Sequence, residues 1–175
     1  MIKKMKKIVL IIGLLIGGLS SKAQVGIGTT TINGDGLMAF EDNNLKAIVL
    51  PWVDSSASVS SPVGGTLIYD TSDQKVKYYD GTLWVDMSVN SGSVDTSAQD
   101  GLTDIGNGII IGSTSSSATG VLVLESADKA LILPKVANAY TDILSPEPGT
   151  IVYDTTSKTI CVFNGIQWSF WGESQ

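Results

Sequence analysis

The segment Gly65-Thr-Leu-Ile-Tyr-Asp-Thr71 occurs again 84 residues later as Gly149-Thr-Ile-Val-Tyr-Asp-Thr155. At the same spacing, Trp84 follows an Asp-Gly pair and Trp168 follows an Asn-Gly pair. Upstream, Lys46-Ala-Ile-Val-Leu-Pro51 matches Lys129-Ala-Leu-Ile-Leu-Pro134 at a spacing of 83, so the copies differ by one residue there. Matches that keep the same order along the chain indicate one structural unit present twice.

The repeat divides the chain into two units, residues 24–88 and residues 108–175. Residues 89–107 between them are rich in Gly, Ser and Asp and poor in apolar side chains, which is typical of a connector. Within it, the turn-forming pairs of 100–108 surround single apolar residues, a pattern that favours a small hairpin.

Residues 1–23 have the pattern of a secretory signal peptide. Lysines at positions 3, 4, 6 and 7 precede an unbroken run of Ile, Val, Leu and Gly over 8–19, and small residues lead to a cut after Ala23. Twelve apolar residues form a helix only about 18 Å long, too short for a permanent span. We therefore expect an exported protein with no membrane span after signal removal, at the cell surface or outside the cell, with the periplasm as a further location.

Composition narrows the function. Without residues 1–23 the chain has six lysines, no arginine and 17 acidic residues, a net charge of −11 that disfavours a nucleic acid partner. Histidine is absent and Cys161 is the only cysteine, which excludes a Ser-His-Asp triad and a cysteine-rich zinc site. The sequence predicts a protein that is not an enzyme, with no cofactor and no metal.

The acidic turns are candidates for binding Ca²⁺, because oxygen-rich turns can hold this ion. Residues 41–44 (Glu-Asp-Asn-Asn) form one cluster, and Asp70 with Asp73 forms another. Neither has the spacing of an EF-hand, and the second unit has Ser157 where the first has Asp73. Hydrogen bonding within hairpin turns is the preferred role.

The apolar patterns predict an all-β fold. Each unit should end in an antiparallel three-stranded meander, over 66–70, 75–79 and 82–87 and over 150–154, 159–163 and 166–171, with two-residue Asp-Gly and Asn-Gly turns before the last strand. Two further strands are expected at the front, over 37–41 and 46–50 and over 121–125 and 129–133, and one helical turn within 137–144. Each unit would then be one twisted sheet of five short strands.

A sheet of this size has a face to cover and edges to protect. A unit of about 65 residues buries only about 60 % of its unfolded surface. Two arrangements remain open: the two tandem units cover each other, or identical chains assemble around a threefold axis into a trimeric, fibre-like β structure.

The aromatic residues supply the candidates for binding. Three of them recur at matching positions and are expected in the core, as Tyr69, Tyr79 and Trp84 and as Tyr153, Phe163 and Trp168. Trp52, Phe170 and Trp171 lie outside this shared set, and we expect them to contact a glycan or a neighbouring subunit. Cys161 is expected to be a partly buried strand residue, with a reactive or interchain thiol as the alternative.

The order of these motifs resembles a known repeat. An apolar Val-Gly-Ile-Gly-Thr after the leader precedes Lys-Ala-Ile-Val-Leu-Pro, then Ser-Pro-x-x-Gly-Thr-Leu-Ile-Tyr-Asp-Thr and Tyr-Tyr-Asp-Gly-x-x-Trp. This is similar to a repeat of exported Bacteroidota proteins and to modules of phage tail-fibre shafts. The resemblance covers both units and implies a surface or secreted β protein, trimeric and used for structure or adhesion.

Two functions follow as hypotheses. The first is a non-enzymatic, exported structural or adhesive protein that associates with itself or with another cell-surface protein. The alternative is a glycan-binding module that uses exposed aromatic side chains.

Overall fold

The computed structural model describes residues 24–30, 32, 34–41, 45–103 and 108–172. The predicted signal peptide, residues 1–23, lies outside this range, as do residues 42–44 of the first acidic cluster and residues 104–107 of the predicted connector hairpin. No helix in the described ranges is long and apolar enough to cross a bilayer.

The fold is all-β, as the sequence predicts. The described residues of the first unit form seven short strands: β1 (Val25–Ile27), β2 (Gly36–Phe40), β3 (Ile48–Val49), β4 (Trp52–Val53), β5 (Leu67–Asp70), β6 (Lys75–Tyr79) and β7 (Trp84–Asp86). Those of the second unit form seven more in the same order: β8 (Ile109–Ile111), β9 (Leu122–Leu124), β10 (Ala130–Leu131), β11 (Lys135–Val136), β12 (Thr150–Asp154), β13 (Thr159–Phe163) and β14 (Trp168–Trp171).

Within the described ranges, helical structure is limited to short pieces. The helix α1 (Ala139–Asp142) lies within the segment where a helical turn is predicted, and Asn138 caps it by accepting a hydrogen bond from the Thr141 amide. Single 3₁₀ turns occupy Ser56–Ser58 and Ser97–Gln99.

Both predicted meanders are present. β5, β6 and β7 pair antiparallel in chain order, and so do β12, β13 and β14. A two-residue strand precedes each meander and pairs parallel to its first strand, β4 with β5 and β11 with β12. Pro51 and Pro134, which end the two Lys-Ala-x-x-Leu-Pro segments, each stand directly before these strands, at a boundary where proline is tolerated.

The turns differ from the prediction. β6 and β7 are joined by four residues, 80–83, and not by a two-residue turn. Gly81 has a positive φ of 103°, but Asp80 does not. Its carboxylate instead accepts hydrogen bonds from the amides of Thr82 and Leu83, which gives a wider loop. The equivalent loop, with Gly165 at φ 96°, is built the same way.

The two meanders cover each other. Tyr69 and Val76 of the first pack with Ile151 and Val162 of the second in one buried cluster, completed by Leu50 and Met87. Of the two arrangements left open by the sequence, the described residues thus contain the intramolecular one.

The front of each unit differs from the expected five-stranded sheet. β1 and β2 pair parallel, and so do β8 and β9, in sheets separate from the meanders. β10 of the second unit joins β2 of the first as a third parallel strand, while β3 of the first unit pairs antiparallel with β12 of the second. The units are therefore interleaved through these short strands.

Candidate functional site

Two matching aspartates organise the backbone of each unit. Asp70 and Asp154 are almost fully buried. Asp70 accepts hydrogen bonds from the amides of Ser56 and Ser72 at 2.8 and 3.0 Å, and Asp154 accepts from the amide of Ala139 at 2.9 Å. Each carboxylate thus ties the segment before the meander to the first hairpin turn, and its acceptor capacity is used by the chain itself.

Electrostatics support this structural role. Burial alone would raise the pKa of Asp70, but hydrogen bonds from Ser72 and Ser56 lower it to about 2. Burial would likewise raise the pKa of Asp154, but hydrogen bonds from Ser157 and Ala139 lower it below the ordinary value. A carboxyl with a lowered pKa is unsuited to hold a proton near neutral pH, so neither group has the properties of a general acid.

A cluster of charges on the outer face of the first meander has no counterpart among the described residues of the second. The Lys77 ammonium lies 2.5 Å from the Asp73 carboxylate and 3.5 Å from those of Asp70 and Asp86. Desolvation would lower the pKa of Lys77, but the hydrogen bond and charge of Asp73 raise it. Ion pairing therefore accounts for the acidic turn at Asp73.

The second unit has Cys161 at the position of Lys77. The thiol is fully buried and packs with Val136, Ala139 and Val152 beneath α1. Burial raises its pKa, opposed by a hydrogen bond with Thr159. A buried, protonated thiol is a poor nucleophile, consistent with the preferred role of a buried strand residue.

The part of the chain that the structure describes has an open groove and no metal-binding cluster. In the ranges that the structure describes, no three His, Cys, Asp or Glu residues are grouped to hold a metal ion. An open groove of about 520 Å³ lies between the front segments of the units, bordered by Gln24, Asp35, Glu125 and Lys129 among others.

Trp52 is placed between the units. Its indole N–H donates to the carbonyl of Pro148 at 2.7 Å, and its ring is tilted against that of Tyr69 with centroids 6.4 Å apart. The second unit has Lys135 at the equivalent position in β11. Trp52 therefore stabilises the contact between the units, with its remaining surface half-buried.

Phe170 and Trp171 are consecutive residues of β14. Trp52 lies on β4, which belongs to the sheet of the other meander. Phe170 is 50 % exposed and Trp171 is 40 % exposed. The Trp171 indole N–H donates to the carbonyl of Met87 at 2.6 Å, and its ring meets Tyr78 edge to face. Because consecutive strand residues point to opposite faces of a sheet, the two rings do not form one surface. Trp171 holds the last strand to the first unit, and Phe170 is the more exposed of the two.

An exposed apolar surface lies at the front of the second unit. The pair β8–β9 exposes apolar side chains from both strands: Ile109 63 %, Ile110 37 % and Leu122 47 %, with Val121 at 65 % beside them. An isolated two-stranded sheet is marginal in water, and parallel sheets are normally covered on both faces. In the first unit the strand β2 is buried at Leu37, Met38 and Ala39. The surface over β8–β9 is therefore the best candidate for self-association.

The sequence interpretation missed β1 and β8. These three-residue strands, Val25–Ile27 and Ile109–Ile111, are too short for a periodic pattern to stand out. The available sign was their identical spacing from the glycines at 28 and 112, both of which adopt positive φ.

Comparison with known proteins agrees with this architecture. The family described as a phage-tail-like trimerisation region matches the chain twice, over residues 26–100 and 110–174. The two matches cover about four-fifths of the chain, one for each unit. The chain therefore belongs to this family, which bears out the resemblance to tail-fibre modules. No curated protein and no solved structure matches it.

Proposed function

We propose that the protein is a non-enzymatic structural component that associates with itself as a trimer in a fibre-like β assembly. The carrying observation is the match of both units to a phage-tail-like trimerisation region. The exposed apolar side chains of β8–β9 support it, since they provide a surface that a second copy would remove from water.

Export is part of the proposal. Its support is the lysine-rich start, the apolar run and the small residues before position 24. The strongly acidic remainder suits a protein that stays dispersed outside the cell until it assembles. We propose the cell surface or the extracellular space as the location, with a structural or adhesive role and a cell-surface protein as a further partner. Fractionation of producing cells tests it: protein confined to the cytoplasm would contradict export.

Native mass spectrometry of the purified protein tests the assembly. We expect a species with three times the mass of one chain that persists on dilution into the micromolar range. Ile110→Asp should lower the trimer fraction by about tenfold or more, because a buried unpaired charge is costly. Leu144→Asp is the matched control, since Leu144 is 89 % exposed in the α1–β12 loop. A monomer at all concentrations would overturn the proposal.

A glycan is the second candidate ligand. The observation that favours it is the half-exposed ring of Phe170, since aromatic faces bind sugar rings. A glycan array probed with the protein and with Phe170→Ala tests it. Trp171→Ala is less informative because Trp171 also bonds to Met87. Absence of any bound glycan would remove this candidate.

A further inference from the structure

The contact between the two units is directional. β10 lies along β2 of the first unit, whereas β3 lies along β12 of the second. A twofold relation would require β10 to pair with β5, the counterpart of β12, and β5 instead pairs with β4 and β6. The contact is therefore heterologous, and a heterologous contact can be repeated by further copies.

The two short strands β3 and β10, here called exchange strands, use opposite edges. In β3 the Leu50 amide, just beyond the strand, donates to Gly149 at 3.0 Å, so the neighbouring Val49 amide points away from β12. In β10 the amide of Ile132, the counterpart of Val49, donates to the carbonyl of Met38 at 3.0 Å. Each exchange strand thus uses the edge that the other leaves open.

Two pairs of matching glycines show which surfaces are vacant. A Cβ built on Gly36 would lie 2.6 Å from Ile132 Cδ1. One built on its counterpart Gly120 would meet, among the described residues, only Val123 Cγ2 at 3.6 Å and the Leu122 carbonyl oxygen at 3.7 Å. A Cβ on Gly149 would lie 3.1 Å from Tyr69 Cβ, whereas one on its counterpart Gly65 would have nothing within 4 Å among the described residues.

Considering the described residues alone, these differences define two open surfaces. The start surface consists of the free edge of β3 and the Gly65–Leu67 end of β5. The end surface consists of the free edge that runs from Gly120 to Leu122, where β9 begins, and the free edge of β10. Val49, Leu122 and Leu131 on these edges are 48 %, 47 % and 36 % exposed, so both surfaces offer apolar side chains.

We propose that the end surface of one copy binds the start surface of a second copy and repeats the pairings found inside the chain. β3 of the second copy would lie parallel to β9, with Ala47 opposite Gly120 and Ile48 opposite Leu122. β5 of the second copy would lie antiparallel to β10, with Leu67 opposite Leu131. This register follows from the internal pairs by the repeat spacing.

The inference rests on the internal strand pairs and not on trimerisation. A heterologous contact closes into a ring or continues as an open filament. A ring and a filament would use the same strand register. The experiment therefore tests the register between two copies and does not need to distinguish a ring from a filament.

Disulfide formation between different chains tests the register. Leu67→Cys and Leu131→Cys are made as separate variants and mixed under mild oxidation. Directly opposed antiparallel residues have Cα atoms about 5.5 Å apart, within the range of a disulfide. We expect a band at twice the chain mass on a non-reducing gel. Leu144→Cys mixed with Leu67→Cys is the matched control and should give no such band, and Cys161 stays in place because it is buried.

Matched glycine variants test the vacant surface. Gly120→Leu should reduce the linked fraction by about tenfold or more, because the added side chain fills the space that Val49 of the second copy would enter. Its unfolding midpoint should be unchanged, whereas Gly36→Leu should lower the midpoint by displacing Ile132. Absence of the linked band with an intact trimer would overturn this inference alone. A linked band without a trimer would overturn trimerisation alone.

Discussion

The Tyr69 hydroxyl donates a hydrogen bond to the backbone carbonyl of Asn164 at 3.0 Å, and both residues are fully buried. This bond joins β5, the first strand of the first meander, to the loop between the last two strands of the second. Tyr153, the counterpart of Tyr69, is only partly buried, so the same residue type has different roles in the two units.

Tyr69→Phe should destabilise the protein by about 1 kcal/mol near neutral pH, because it leaves the Asn164 carbonyl without this donor. Burial, with the charge of Asp73, raises the pKa of Tyr69 to about 12 from an ordinary value of 10.0. The stabilisation is therefore complete below pH 10 and is lost as the pH rises toward 12. Urea unfolding of both proteins at pH 8 and pH 11 measures the difference, and a constant difference would contradict the assignment.

Asn164 also explains why the second unit has an amide where the first has Asp80. Its Oδ1 accepts from the amides of Ile166 and Gln167, as Asp80 does for its own loop, but its Nδ2 also donates to the carbonyl of Asn90 at 2.8 Å. A carboxylate could not make that donation.

Asn164→Asp should therefore destabilise the protein by about 2–4 kcal/mol, since it buries a charge and loses the bond to the connector. Asp80→Asn is the matched control, because Asp80 is exposed and keeps an acceptor oxygen. Thermal unfolding at pH 7 should show a large shift for the first variant and almost none for the second. Equal shifts would mean that the connector contact does not matter.

The loss of folding stability at acidic pH should depend on Asp70. Its carboxyl, with a pKa lowered to about 2, contributes stability that is full above the ordinary aspartate pKa near 4 and is lost as the pH falls toward 2. Asp70→Asn should cost about 1–3 kcal/mol at pH 7, and the difference from the parent should shrink between pH 4 and pH 2.

Asp54 supplies the control for that experiment. It is exposed and lies two residues before Ser56, whose amide donates to Asp70. Asp54→Asn should leave the unfolding midpoint nearly unchanged at every pH. If Asp54→Asn and Asp70→Asn showed the same pH profile, general surface charge and not the buried hydrogen bonds would be responsible.

The hairpins could be predicted because their information is local. Lys75–Tyr79 and Thr159–Phe163 carry alternating or β-prone side chains between recognisable turns, and the observed strands have those limits. The exchange strands could not be predicted in the same way. Strands of two residues, such as Ile48–Val49, carry no period, and their partners lie about 100 residues away in the other unit.

The candidate site shows the same contrast between local and long-range information. The sequence points to Trp52 because the second unit has a lysine at the matching position, and that difference marks a contact between the units through Pro148. The sequence does not point to the exposed strands β8 and β9, because exposure depends on which strand covers them and not on their own composition.

The matching positions Lys77 and Cys161 have opposite surroundings, one charged and one apolar. Three acidic side chains surround Lys77, but in the second unit Ser157 and Phe170 replace two of them and only Asp154 remains. Cys161→Lys would place an ammonium among Val136, Ala139 and Val152 and should destabilise the protein by about 3–5 kcal/mol. Cys161→Val should cost no more than about 1.5 kcal/mol, because it keeps an apolar side chain of similar volume. Urea unfolding of both variants measures the contrast. Similar stabilities for Cys161→Lys and Cys161→Val would show that α1 does not seal this core from water.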